Sequence, residues 1–204
     1  GVEIGLKQAL KMRTFLYLNL VEAVRMMTII AVFTHIMPYL SSVGMPRTTA
    51  GMVAAAIPLI GIIGRFGFGW LGDIYDKKHM MAVTIGLIIF GMLALSFVHM
   101  RWMIIPFLIL YSLGHGGSMV IRAAIVREYF GRDSFGKMLG IIMGSASIGG
   151  IIGPTLAGWS FDTWGSYRPI WHVFWGLLSI GIILTLKLKP VAIKKNEKIV
   201  LSAL

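Results

Sequence analysis

The chain has 204 residues, 57% hydrophobic and 13% charged, whereas a soluble domain carries about 25% charged residues. That composition excludes a water-soluble globule, whose surface it cannot cover. The formal charge of +11 invites a nucleic-acid partner, but the Lys and Arg residues gather at the ends of long apolar runs, as in cytoplasmic loops beside anionic lipid, so no nucleic acid is expected.

Residues 1–13 read as a cytoplasmic lead-in that forms a short amphipathic interfacial helix, with Ile4, Leu6, Leu10 and Met12 for the headgroup boundary. A disordered leader is the alternative. Six apolar runs then follow, near 14–38, 48–71, 79–99, 101–126, 136–159 and 168–189. Each reaches the roughly 20 residues that a helix needs to cross the hydrocarbon core. Lipid offers no partner to an unpaired peptide group, and the runs are too long for barrel strands, so the fold class is an all-α membrane protein with six transmembrane helices.

The first run follows Lys7, Lys11 and Arg13, is too long for a cleavable signal, and lacks a small-residue cleavage site, so it reads as a permanent span. It carries Glu22 and Arg25, three residues apart on one helical face, which reads as a coupling or structural ion pair, with a snorkelling Arg25 as competitor. The short connection from Ser41 to Arg47 makes the next run an antiparallel neighbour. In that second run Arg65 sits among Gly61, Gly64, Gly67 and Gly69 with no acidic residue within a helical turn. A guanidinium held there is expected to face a water-filled cavity and meet an anion, with snorkelling to the headgroups as the alternative.

The third run is uninformative about chemistry. The fourth holds Tyr111 and the stretch Gly114-His115-Gly116-Gly117-Ser118, where glycine permits close helix approach or local unwinding. A substrate-facing or proton-sensitive His115 and a histidine bonded to a neighbouring helix are both open. Arg122, near the inner end of this run, reads as a snorkelling or loop-anchoring residue. The fifth run spaces Gly140, Gly144, Gly149, Gly153 and Gly158 as a helix-packing surface, and Pro154 adds an expected bend. The sixth run leads to a basic cytoplasmic tail at 190–204.

Outside the spans, Lys and Arg number thirteen on one side and three on the other, a bias that puts both termini in the cytoplasm. The expected location is the cell membrane, the inner membrane if the source is bacterial. There is no cysteine, so neither a disulfide nor a thiolate metal site is proposed, and no metal or cofactor is expected.

Several of these motifs resemble the major facilitator superfamily. Gly69-Trp70-Leu71-Gly72-Asp73-Ile74-Tyr75-Asp76-Lys77-Lys78 is similar to its loop signature, in which a Gly-x-Leu-small-Asp start leads to a basic pair between two helices. Ile74 and Asp76 depart from that signature, where the family usually has a basic residue and Gly. The spacing of Gly140, Gly149, Gly153, Pro154 and Gly158 is similar to the family's glycine pattern in the equivalent helix. The stretches His35 to Leu40, Gly64 to Asp73, Arg122 to Gly131 and Asp162 to Arg168 resemble the monocarboxylate transporter and oxalate/formate antiporter branch.

The resemblance covers nearly the whole chain and matches the C-terminal six-helix half of such a transporter, itself a three-plus-three inverted repeat. It implies secondary transport of small organic anions by alternating access, with the N-terminal half as a missing partner, protons as a candidate second cargo, and symport or antiport both open. It also implies that Arg65, eight residues before Asp73, binds the substrate carboxylate, with His115 and Tyr111 lining the cavity. Gly61 stands where monocarboxylate transporters place an Asp, and the fifth run lacks the Lys of the oxalate exchangers. Two other readings stand beside it: a six-helix protein that self-associates, and an intramembrane enzyme using Ser118 with His115 or His172. The start at Gly1, without Met, favours a fragment over the first, and an enzyme is not expected.

Overall fold

A computed structural model of the chain, described over residues 11–132 and 134–189, contains six helices each long and apolar enough to cross a membrane. They are α1 (Arg13–Ser42), α2 (Arg47–Ile74), α3 (Lys77–Ser96), α4 (Ile104–Phe130), α5 (Phe135–Trp164) and α6 (Arg168–Leu186), with a 3-10 turn over Arg101–Met103 leading into α4. The expected interfacial helix lies almost wholly outside the described residues, as does the tail from 190.

Every apolar run became one helix, but the ends differ. Helices α1, α4 and α5 continue four or five residues past the expected stops at 38, 126 and 159. Hydropathy marks where lipid ends, whereas the backbone ladder persists until something breaks it. For α4 and α5 that breaker is glycine. Gly131 (φ 82°) and Gly165 (φ 64°) follow them with positive φ, and each donates its N–H to the carbonyl four residues back, at 3.1 and 2.8 Å.

Packing follows a reciprocal scheme. Helix α1 of the first three lies chiefly on α5 of the second three, and α4 of the second three lies chiefly on α2 of the first and on α3, while α6 closes the bundle against α3 and α1. Helices α1 and α4 are not among the closely packed pairs.

Glycine makes both reciprocal crossings possible. A Cβ on Gly149 or Gly153 of α5 would collide with the carbonyl of Ala23 or Met27 of α1, and one on Gly116 of α4 or Gly64 of α2 would collide with the carbonyl of Gly61 or Leu113. Close backbone approach of this kind is the main attraction open to helices in lipid. Gly114 and Gly117 likewise seat α4 on Thr84 of α3 and Phe68 of α2, so the glycine run in α4 serves close approach and not unwinding. Of the expected packing glycines in α5, Gly140 meets no neighbour within 4 Å among the described residues and Gly158 meets only the His35 ring, at 3.7 Å. The helix runs unbroken through Pro154.

One face of α2 is buried through Val53, Ile57, Gly61, Gly64 and Phe68. Met52, Leu59, Ile63, Phe66 and Trp70 form an exposed apolar stripe on the opposite side, as expected of a surface that meets lipid or another apolar bundle.

Candidate functional site

Four charges lie well inside the spans, and three of them form one cluster. Glu22, fully buried, accepts from Arg25 Nε at 3.1 Å to both oxygens and from Arg25 Nη2 at 2.6 Å. Arg122 Nη1 reaches the same carboxylate at 3.1 Å from α4. Arg25 Nη1 donates to Ser118 Oγ at 3.0 Å, and that hydroxyl donates on to the His115 carbonyl at 2.8 Å. A carboxylate and two guanidiniums therefore bridge α1 and α4, the two helices whose backbones stay apart.

The ion pair expected from Glu22 and Arg25 is present, but Arg122 is not a snorkelling residue. It is 7% exposed and turned inward, because a carboxylate in the low-dielectric interior attracts a cation more strongly than distant headgroups do. The sequence held a sign of this: Glu22 is the single acid far from any loop, set against three arginines. Depth agrees too. Glu22 is nine residues into α1 and Arg122 eight from the end of the antiparallel α4, about 13 Å and about 12 Å from the same membrane edge.

Arg65 is placed differently. It is exposed, nine residues before the end of α2, and its one hydrogen-bond contact among the described residues is Nη2 to the sulfur of Met119 at 3.6 Å. At 100° per residue it stands about 140° around α2 from the centre of the apolar stripe, on the flank beside the α4 crossing. Along that flank Ala54, Pro58, Gly61 and Gly69 recur at helical spacing. The guanidinium is the one long side chain in a row of small ones.

His115 is nearly enclosed. Its ring packs edge-on to Phe33 of α1, with centroids 5.5 Å apart, and stacks over Tyr111 at 6.3 Å. Among the described residues its Nδ1 has no hydrogen-bond partner, nor has the Tyr111 hydroxyl or Arg122 Nε. Tyr111 is fully buried, with its Cβ side against Gly91 of α3. Ser118 is occupied by Arg25, and His172 is bonded to the Arg168 carbonyl on α6 at 2.7 Å. No serine–imidazole pair forms among them.

The loop motif lies at the end of α2. Gly69 and Gly72 rest on Val120 and Ile121 of α4, where a Cβ on Gly72 would come within 2.6 Å of Ile121 Cδ1. Lys77 pairs with Glu128 of α4 at 2.6 Å, a partner the sequence reading missed. Asp73, Lys77, Arg127 and Arg132 line a cavity of about 440 Å³. Asp76, the departure from the signature, caps α3 by accepting from the amides of Lys78 and His79 at 2.9 and 3.1 Å. Burial works against its charge, but those amides and the His79 ring hold its carboxyl below the ordinary range.

Toward the end of the bundle where α1 stops, His35 donates from Nε2 to the Pro154 carbonyl at 3.0 Å, which leaves Nδ1 to accept from the Tyr167 hydroxyl at 3.2 Å. Burial, then the charge of Asp162, raises the Tyr167 phenol above its usual value, so it stays a neutral donor.

The sequence model of the Major Facilitator Superfamily matches residues 19–201. The chain belongs to that superfamily. Its fold is one six-helix half of a superfamily transporter, and its family and fold are those of transporters, not enzymes. It is 25% identical over 171 residues to monocarboxylate transporter 12 of Xenopus laevis, covering 81% of this chain and 37% of the relative. Monocarboxylate transporter 12-B of Danio rerio is 27% identical over 161 residues, with coverage of 74% and 33%. A solved chain from work on substrate recognition in proton dependent oligopeptide transporters superposes with a TM-score of 0.76 at 17% identity, over 94% of this chain and 46% of its own. The last likeness is one of fold. The chain thus spans about a third of the curated relatives and under half of the solved superfamily chain.

Proposed function

We propose that this chain is the C-terminal half of a secondary transporter that carries small organic anions of the monocarboxylate type by alternating access, with Arg65 as the residue that pairs with the substrate carboxylate. The reading is carried by one contrast. The two other deep arginines share Glu22, whereas Arg65, at a similar depth, has no carboxylate among the described residues and stands in a row of small side chains. A planar guanidinium that stays charged at any working pH suits a carboxylate.

His115 borders the same region and Tyr111 backs its ring. In this reading the exposed stripe on α2 and the exposed Ile148, Ile151, Ile152 and Trp159 of α5 are the surfaces offered to an N-terminal six-helix half. Both termini lie on the cytoplasmic side of the cell membrane in this reading, and a proton is a candidate co-substrate. The similarity to monocarboxylate transporters supports the substrate class.

The test is uptake of a labelled monocarboxylate by the full-length protein in vesicles. Arg65→Ala should raise KM by about 10- to 100-fold, the loss of one charge-assisted pair, and Arg65→Lys should recover part of it. Unaltered KM in Arg65→Ala removes the assignment.

A further inference from the structure

We infer that the groove between the inner ends of α1 and α6 binds one anionic phospholipid, with its phosphate in a cationic basin and an acyl chain along an apolar channel beside it. The basin is a cavity of about 490 Å³ where three helices meet: Arg13 and Tyr17 from α1, Lys78 from α3, and Lys187 and Lys189 just past α6. No acidic residue among the described residues lines it. Thr14 Oγ1 donates to the Lys189 carbonyl at 3.0 Å, tying the chain after α6 to the start of α1. Leu188, 1% exposed, anchors it, so the neighbouring lysines are held at the rim.

Four cations gathered without a carboxylate repel one another, and a phosphate accepting from ammonium and guanidinium groups removes that repulsion. Basic pockets between transmembrane helices at the cytoplasmic side are suited to phospholipid headgroups. A soluble phosphate would satisfy the basin alone, but the next cavity along the same two helices says more. It has about 220 Å³ and an entirely apolar lining, with Leu20 and Val24 on α1 and Leu177, Ile180 and Leu184 on α6.

From Tyr17 to Val24 is seven residues, so the channel lies roughly 10 Å deeper in the bilayer than the basin. Leu20 and Ile180 are over half exposed, which leaves the channel open sideways to lipid. A charged basin at the membrane edge continued inward by a dry groove has the profile of a headgroup followed by a chain. The lipid would act as a strut between α1 and α6. This proposal stands apart from the role of Arg65.

Native mass spectrometry of the full-length protein in mild detergent tests it, with phosphatidylglycerol and phosphatidylcholine of equal chain length and glycerol phosphate as the headgroup without chains. One phosphatidylglycerol should be retained about tenfold better than phosphatidylcholine. In the Lys187→Gln/Lys189→Gln double variant, at exposed positions that leave the fold intact, that preference should fall to near parity. Gly181→Leu, where an added Cβ meets no atom of a neighbouring helix within 4 Å among the described residues, fills the channel and should release the lipid. Equal retention of the two lipids, or unchanged preference in the double variant, overturns the proposal. Glycerol phosphate competing as well as phosphatidylglycerol also overturns it, by assigning the basin to a soluble phosphate.

Discussion

Glu22 is a lone carboxylate closed over by two guanidiniums, which leaves the buried cluster with one positive charge in excess. The three members are therefore not equivalent. Glu22→Ala strands both arginines in the bundle and should cost about 3–5 kcal/mol, the usual penalty for breaking a buried pair from one side. Arg122→Ala leaves Glu22 with Arg25 and removes the excess charge, so about 1 kcal/mol or less is expected. Thermal unfolding of the purified full-length protein separates the two. Equal loss in both variants would mean that Arg122, not Arg25, is the principal partner. At this scale the sequence was half legible: Glu22 and Arg25 met because three residues of one helix bring side chains together, a local rule. Their third partner lies a hundred residues away, and only matching depth in two antiparallel helices pointed to it.

The elements were legible to the extent that lipid imposes them. Hydropathy counts helices because an unpaired peptide group in hydrocarbon is so costly, and all six were found. It does not say which helix faces which, and glycine spacing gives that only in part. In α5, Gly149 and Gly153 press on carbonyls of α1, while Gly140 at the same kind of spacing touches nothing within 4 Å among the described residues. Spacing identifies a smooth face, and the length of the contact depends on where the neighbour diverges. Gly149→Ala should thus push α1 off α5, lowering the unfolding midpoint by several degrees, with a cost of about 1–3 kcal/mol for overpacking. Gly140→Ala should leave that midpoint unchanged. A comparable loss at both positions would mean that the start of α5 is covered in the complete protein, and the open face would have to be assigned to the other half.

For the molecule as a whole, the bundle separates a strongly basic end from a less basic one. Arg13, Lys77, Lys78, Arg127, Arg132 and Lys187 gather where α1 and α3 begin and α4 and α6 end. The opposite connections carry Arg47, Arg101 and Arg168. Charge retained on the cytoplasmic side sets topology through loops as short as these, so the basic end is expected inside. This chain contains no cysteine, and one placed in it is a clean probe within a cysteine-free background of the full-length protein. Ser42 at the end of α1 and Gly136 at the start of α5 are both exposed and lie at opposite ends of the bundle. A membrane-impermeant maleimide added to intact cells should label Ser42→Cys and spare Gly136→Cys until the membrane is opened. The reverse pattern would leave the six crossings in place but move the Lys77–Glu128 pair and the cationic basin to the outer leaflet. Anionic lipid would then not be the partner those lysines meet, so the same labelling experiment bears on both the orientation and the lipid site.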